Sequence, residues 1–401
     1  MRAGAHIPAM LWASAISTAT EAAEAVDEAV EQVASQLGSR RPHVIFAFMT
    51  QAFAAEHASL QARVRAQWDD ALLFGCCASG VIGAGREVEE AGAVSITAAW
   101  LPNVRLTPTH VESNALPPVY AERVAWQTAL NLHGIADPQF LIVSDPFSFD
   151  TEEFVRGLDR AFPASAKIGG LASGGKQAGD GLLILGERVY RSGAIVLALS
   201  GALRVDSIVA QGCRPIGDPM FVTNCHGNLL RELDGRVPRE VLSELYDRLT
   251  ERDQALLGRA LFVGLAMPGE RPNIQAGEFL IRNVLGMDPQ SGAIWVGAEL
   301  EPNSIVQFHL RDALSSAQDL ERALLNFESG ATPAAALLFS CVGRGVGLYG
   351  SADHDSNAVK RRLGELPIGG FFCSGEIGAV QGMTQVHGYT SAVAIIRSPR
   401  A

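Results

Sequence analysis

Basic residues are few in this sequence of 401 residues, where 32 Lys and Arg stand against 43 Asp and Glu and leave a net charge of −11. Because nucleic acids are bound through clustered Lys and Arg, this balance excludes a broad nucleic-acid surface. The longest basic cluster, Lys360-Arg361-Arg362, lies on a predicted helix, where it is explained as a solvated face.

Long apolar runs and cysteines are also scarce. The sequence has no uninterrupted apolar run of about 18 residues, which argues against insertion into a membrane. Six cysteines in a chain of 401 residues do not make a disulfide framework. Cys76 and Cys77 lie in an apolar run, which is typical of reduced, buried thiols in a cytoplasmic protein.

Apolar periodicity predicts an α/β (α+β) protein built from β-α-β-α-β-β units. Two units, at about 7–100 and 103–199, form a predicted N-terminal module over residues 1–200. A third unit at 303–397, with its first strand at 305–310, follows a region around 201–302 with an additional antiparallel sheet. These two parts form a predicted C-terminal module over residues 201–401.

One motif recurs in all three units: an apolar run ends in Gly, three residues, Ser and Gly. Its copies are Gly75 to Gly80, Gly169 to Gly174 and Gly370 to Gly375. A hydrolase serine would need Gly-x-Ser-x-Gly at a strand-to-helix turn, whereas here another strand follows. The motif therefore predicts a turn between paired strands, whose last glycine supplies a positive φ or room for close backbone approach.

Three segments contain recognisable motifs. The C-terminal segment, 336–396, contains Cys341-Val-Gly-Arg344, Cys373-Ser-Gly-Glu376 and His387-Gly-Tyr-Thr390; the others are 73–96 and Val222 to Gly235. Together these segments resemble the FIST family. The resemblance covers nearly the whole chain. It implies a sensory domain of signal transduction that binds a small ligand, an amino acid being one candidate. Since no output domain is recognised in the sequence, a separate signalling protein is the expected partner.

The predicted ligand site combines the ends of two strands of the third unit. If these strands are neighbours, their carboxyl ends bring a guanidinium, a carboxylate, a hydroxyl and two thiols to one crevice. Arg344 could hold the carboxylate of an amino acid and Glu376 its ammonium, or the two could pair with each other. The predicted ligand-binding residues are Cys341, Gly343, Arg344, Cys373, Ser374, Gly375, Glu376, His387 and Thr390.

Other kinds of function remain as alternatives. Cys341 or Cys373 could serve a thiol-dependent enzyme if a nearby cation lowered the pKa of the thiol. A protein-interaction scaffold without catalysis is a third possibility.

Neither a metal nor a cofactor is expected. The spacing of Cys213, Cys225 and His226 fits no common zinc pattern. The segment Gly345-Val-Gly-Leu-Tyr-Gly350 fits a dinucleotide loop, but Asp353 and Asp355 follow it at a helix start. Carboxylates there would repel phosphate and are expected to cap the helix.

Overall fold

The computed structural model describes residues 10–266, 279–327 and 331–399, and it has a mixed α/β fold. Within these residues the α-helices are α1 (Ala22–Leu37), α2 (His57–Gln67), α3 (Arg123–Ala129), α4 (Thr151–Ala161), α5 (Pro238–Arg248), α6 (Glu251–Leu257), α7 (Ala313–Leu325), α8 (Gly345–Tyr349) and α9 (His354–Leu363). The first predicted strand was expected to begin at Ile7, which lies outside the described residues.

The strands form three six-stranded sheets and a closed barrel. In chain order they are β1 (Leu11–Ser17), β2 (Val44–Thr50), β3 (Leu72–Ala78), β4 (Val81–Gly83), β5 (Arg86–Val88), β6 (Val94–Trp100), β7 (Val104–Val111), β8 (Gln139–Ser144), β9 (Lys167–Leu171), β10 (Leu183–Leu185), β11 (Arg188–Tyr190), β12 (Ala194–Gly201), β13 (Arg204–Ala210), β14 (Cys213–His226), β15 (Leu229–Leu233), β16 (Leu261–Ala266), β17 (Phe279–Met287), β18 (Ile294–Val296), β19 (Ile305–Arg311), β20 (Pro333–Cys341), β21 (Ile368–Cys373), β22 (Glu376–Val380), β23 (Met383–His387) and β24 (Ser391–Arg397).

The three sheets have one strand order. They run β1-β6-β2-β3-β10-β11, β7-β12-β8-β9-β22-β23 and β13-β24-β20-β21-β4-β5. In each sheet the first four strands belong to one repeat and the last two are a hairpin from another repeat. The first repeat therefore supplies a hairpin to the third sheet, the second repeat to the first sheet, and the third repeat to the second sheet.

This exchange changes the interpretation of the recurring motif. The motif was expected to turn the chain between paired strands of one sheet, but it carries the chain from its own sheet into another. In the third copy, β21 lies in the third sheet, whereas Glu376 and Ile377 of β22 pair with Gly170 and Gly169 of β9.

The motif glycines are required by close packing. A Cβ atom on Gly75, Gly169 or Gly370 would lie 1.7 to 1.8 Å from a carbonyl oxygen of the neighbouring parallel strand. At the other end of the motif, a Cβ on Gly80 would lie 2.8 Å from the Phe372 ring. Of the two roles predicted for the last glycine, room for close approach is the one found at Gly80, since its φ is not in the left-handed region.

The three sheets share a central core, and helices cover the other face of the first two. Residues from all three sheets, among them Phe46, Leu197 and Phe371, form one central core. The opposite face of the first sheet packs against α1 and α2. The corresponding face of the second sheet packs against α3 and α4.

The region after residue 212 differs from the expected third repeat. The strand predicted to open that repeat, here β19, pairs with β14 and β16 in the closed antiparallel barrel. β13 instead takes the edge position of the third sheet that β1 and β7 take in the other two. The barrel is therefore inserted inside the third repeat, after its first strand.

The chain divides into two compact units. The first contains 1–209, 322–386 and 390–401, and the second contains 210–321 and 387–389. The second unit has its own core, which includes Val263, Ile294 and Phe308 of the barrel. The predicted module boundary at residue 200 remains a prediction.

Candidate functional site

The two strands predicted to carry the site are neighbours. β20 and β21 run parallel, and Cys341 lies directly opposite Cys373 in their register. The Val342 N–H donates to the Cys373 carbonyl at 2.9 Å. The carboxyl ends of both strands therefore meet at one edge of the third sheet, where ligands of open α/β sheets commonly bind.

Arg344 lies in this corner with no exposed surface, and its ion-pair partner is Asp355. Nε of Arg344 donates to Oδ2 of Asp355 at 2.7 Å, and Nη2 donates to Oδ1 at 3.0 Å. The Ser340 hydroxyl adds a third hydrogen bond to Oδ2 at 2.9 Å. The prediction that Asp355 caps a helix is wrong, because its carboxylate faces the guanidinium. Burial alone would raise the pKa of Asp355, but Arg344 holds it well below its usual range.

The start of α9 is capped by Glu87, a residue of the first repeat. Its Oε1 accepts hydrogen bonds from the Ser356 N–H at 2.7 Å and the Ser356 hydroxyl at 2.8 Å. Glu87 reaches this helix because β5 belongs to the hairpin that the first repeat contributes to the third sheet. Burial and the charge of Asp355 raise the pKa of Glu87 to about 7, against the hydrogen bonds from Ser356.

Glu376 is a further fully buried ionisable residue of the corner. Its Oε2 accepts a hydrogen bond from the Thr390 N–H at 3.1 Å. Burial raises the pKa of Glu376 to about 8, although hydrogen bonds from Thr390, the charge of Arg344 and the Cys341 thiol all act to lower it. The carboxyl group is therefore largely protonated at neutral pH.

The buried polar atoms without a hydrogen-bond partner in the described part of the chain include Nη1 of Arg344, a donor, and Oε1 of Glu376. A buried polar atom without a partner costs about 1 to 3 kcal/mol, so such atoms are rare in folded proteins. Both atoms belong to side chains with no exposed surface.

The loop over this corner contains the segment that fits a dinucleotide motif. Gly345 begins α8, and the Val346 N–H donates to Oε1 of Glu89 at 2.8 Å. A Cβ atom on Gly345 would lie 2.1 Å from that same oxygen. The amide that a phosphate would need at the start of α8 is thus bound to a carboxylate of the protein itself.

The Cys373 thiol is fully buried, and burial raises its pKa well above 9.0. A nucleophilic cysteine needs the opposite shift, because the thiolate is the reactive form. Cys341 is 6% exposed and is the more accessible of the two thiols. The environment of Cys373 therefore disfavours Cys373 as the catalytic thiol of the enzyme considered from the sequence, and it does not bear on Cys341.

The remaining predicted site residues lie in different surroundings. Gly343 is half-buried in the loop before α8, and Ser374 is exposed. Gly375 is buried and its carbonyl accepts from the Leu171 N–H at 2.8 Å, which joins the third motif copy to the second repeat. His387 is buried but belongs to the second compact unit, so the proposed site excludes it.

The motif serines connect repeats to one another. The Ser79 N–H donates to Oγ of Ser173 at 2.9 Å, and the Ser173 hydroxyl donates to the Phe372 carbonyl. Residues of all three repeats thus meet through one hydroxyl group. The spacing of the motif alone does not show this, because the contacts join copies about 100 to 200 residues apart.

Metal-binding and membrane-spanning features can be assessed for the described residues. Among them, no three His, Cys, Asp or Glu side chains form a group that could hold a metal ion. Cys225, one of the residues considered for zinc, donates its thiol to the Leu300 carbonyl at 3.4 Å. None of the described helices is both long and apolar enough to cross a membrane.

The helices and sheets define a mixed α/β protein in which Arg344, Asp355 and Glu376 lie buried near the carboxyl ends of β20 and β21. The chain belongs to the FIST family: the FIST N domain matches residues 43–236 and the FIST C domain matches residues 239–379. FIST domains are generally sensory domains in signal transduction.

Relatives with similar sequences are uncharacterized proteins. One, from Mycobacterium tuberculosis (strain ATCC 25618 / H37Rv), is 35% identical over 95% of this chain and 98% of the relative. Another, from Mycobacterium bovis, is 32% identical over 95% of this chain and 97% of the relative. A solved structure of a cyanuric acid hydrolase from A. caulinodans covers 97% of this chain and 99% of its own at 11% identity, with a TM-score of 0.35. Nothing about the activity of this chain follows from that match.

Proposed function

We propose that this FIST protein is a sensor that binds a small zwitterion, such as an amino acid, in the corner formed by β20, β21 and the loop 342–350. The unpartnered Nη1 of Arg344 and Oε1 of Glu376 carry this proposal. A ligand carboxylate would accept from Nη1, and a ligand ammonium would donate to Oε1. Cys341, Gly343 and Thr390 would lie around it.

The arrangement also sets a condition on binding. Arg344 and Glu376 have no exposed surface, so a ligand reaches them only when the loop 342–350 moves. Gly345 and Gly350 have φ values of +59° and +70°, a backbone conformation that glycine adopts without strain. The hydrogen bond from Val346 to Glu89 ties the loop to the first repeat and would have to break for such a movement.

A second condition concerns the proton on Glu376. Because the pKa of this carboxyl group is raised to about 8, an ammonium ligand must bind with loss of that proton at neutral pH. The affinity for an amino acid should therefore rise between about pH 6.5 and about pH 8.5, and binding should release a proton to the buffer.

The test is a thermal-shift and calorimetric screen of free amino acids at pH 8. Matched amino-acid amides and N-acetyl amino acids lack one of the two charges. Free amino acids should stabilise the protein in proportion to RT ln(1 + [L]/Kd), and both blocked forms should fail.

Glu376→Gln should abolish the stabilisation, whereas Glu365→Gln, at an exposed position, should leave it unchanged. The proposal is wrong if no free amino acid stabilises the native chain or if Glu376→Gln binds as well as the native protein.

A further inference from the structure

The two thiols at the ends of β20 and β21 form a pair with a second use. We propose that Cys341 and Cys373 are a redox modification site, which a hydroperoxide converts into a reversible disulfide across the two strands. This role requires no ligand in the corner described above.

The register of the sheet brings the two residues together. Cys341 and Cys373 are direct partners in a parallel pair, and partners in adjacent strands point to the same face. Phe339 and Phe371, two residues earlier in each strand, both lie in the central core, so the thiols face the same side. Adjacent strands are about 4.8 Å apart, and disulfides join Cα atoms about 4.4 to 6.8 Å apart. The bond therefore needs little movement of either strand.

The two thiols differ in accessibility in the way that such a reaction requires. Cys341 is 6% exposed and can meet the oxidant, while Cys373 has no exposed surface and can only react with a neighbour. Glu376 lies beside both thiols. Its charge helps to raise the pKa of Cys373, and a hydrogen bond with the Cys341 side chain acts to lower the pKa of Glu376 itself. The ionised form of Glu376, whose fraction grows as the pH rises through its pKa of about 8, is placed to take up the proton that Cys341 loses.

The chemistry takes place in two steps. The sulfur of Cys341 attacks one oxygen of hydrogen peroxide, the O–O bond breaks, and a sulfenic acid and one water form. The sulfur of Cys373 then attacks the sulfur of the sulfenic acid, the S–S bond forms, and the hydroxyl group leaves as a second water with the proton of Cys373. Because the pKa of Cys373 is raised, this second step is the slower one and depends on the direct contact of the two residues in the sheet. Two electrons pass from the two thiols to the peroxide.

A competing partner exists for the buried thiol. Cys76 lies in the same central core as Cys373 and contributes to the rise of its pKa. Cys76 is itself fully buried, with a pKa raised well above 9.0 by burial, so it cannot meet an oxidant first. The first step therefore favours the Cys341 pair.

The experiment treats the full chain with hydrogen peroxide at pH 8, blocks remaining thiols with N-ethylmaleimide and maps tryptic peptides by mass spectrometry. Trypsin places Cys341 in 323–344, Cys373 in 363–397 and both Cys76 and Cys77 in 66–86, so a Cys341–Cys373 bond has a different product from a bond of either residue to Cys76 or Cys77. A link between 323–344 and 363–397, lost on addition of dithiothreitol, is expected.

Variants sharpen the result. Cys341→Ser should remove the link, and Cys76→Ser should retain it. A link from 363–397 to 66–86, or sulfinic acid at Cys341 with Cys373 still alkylated, would overturn the proposal, as would the absence of any link. The peptide map of the native chain decides the matter even if a variant does not fold.

Discussion

Glu376→Gln should change the pH dependence of stability in a defined direction. Glu376 is fully buried, and glutamine keeps its shape without the ability to ionise. The native carboxyl group has a pKa of about 8 in the folded protein, against 4.5 as its ordinary value. The folded state therefore holds a proton that the unfolded state has lost over most of the range between these two values.

The sign and size of the effect follow from this difference. Below pH 4.5 both states are protonated and Glu376 costs nothing. As the pH rises through 4.5 towards 8, the unfolded state gains the more favourable ionised form, and the folded protein loses stability. One pKa unit corresponds to about 1.4 kcal/mol, so the full loss above pH 8 is at most about 5 kcal/mol. Glutamine removes this loss, because it stays neutral at every pH.

Urea unfolding of the native protein and of Glu376→Gln at pH 5, 7 and 9 measures the effect. Fluorescence of the buried Trp12 and Trp126 reports the first compact unit. The variant should be nearly as stable as the native protein at pH 5 and several kcal/mol more stable at pH 9. Glu365→Gln, at an exposed position, controls for a change of one surface charge.

The result that refutes the reasoning is equally definite. A stability difference between Glu376→Gln and the native protein that does not change with pH would mean that the Glu376 pKa is not raised. A difference that falls with rising pH would mean that the carboxylate is stabilised in the folded state, as in an ion pair with Arg344. Glu87, with a pKa of about 7, also makes the folded protein less stable as the pH rises. It does so equally in the native protein and in Glu376→Gln, so its contribution cancels in the stability difference.

Three further predictions concern packing and the closed loop. Asp355→Asn should destabilise the protein by about 3 to 5 kcal/mol in urea unfolding, because Arg344 is left buried without its counter-ion; a cost below about 1 kcal/mol contradicts this. Gly370→Ala should prevent folding, as judged by circular dichroism, because the new Cβ atom would lie 1.8 Å from a carbonyl oxygen. Gly347→Ala is the control and should fold normally, because a Cβ atom there meets open space. If the two variants behave alike, the steric explanation is wrong. Glu89→Ala should speed hydrogen exchange of the Val346 amide about fivefold, because the lost hydrogen bond resembles a helix cap worth about 1 kcal/mol. Unchanged exchange would mean that Glu89 does not hold the loop.

Much of the secondary structure could be predicted from apolar periodicity, because that pattern depends on residues close together in the chain. Helices such as α1 and strands such as β2 carry their apolar pattern within a few turns, so the order of elements could be predicted. The position of β19 could not, because a strand of the barrel and an edge strand of a sheet have the same alternating pattern. Partner choice between strands far apart in the chain is decided by packing, which a single sequence does not display.

The candidate site likewise has parts that the sequence predicts and parts that it does not. Cys341 and Cys373 each end one of two consecutive strands, and the carboxyl ends of neighbouring parallel strands meet at one edge of a sheet. The sequence therefore predicted that they come together. The partner of Arg344 could not be chosen in this way, since Asp355 and Glu376 are both carboxylates near it in the chain. Glu87 and Glu89 gave no signal at all, because they lie more than 250 residues before the helices whose N–H groups they bind.

The exchange of hairpins has a consequence for how the chain can be divided. A single repeat leaves its own hairpin without a sheet and leaves the edge of its own sheet without a hairpin. The three exchanges form a closed cycle, because every repeat both gives a hairpin and receives one. Removal of any one repeat would leave one remaining sheet without its hairpin and one remaining hairpin without its sheet. The three repeats are therefore expected to fold as one cooperative unit.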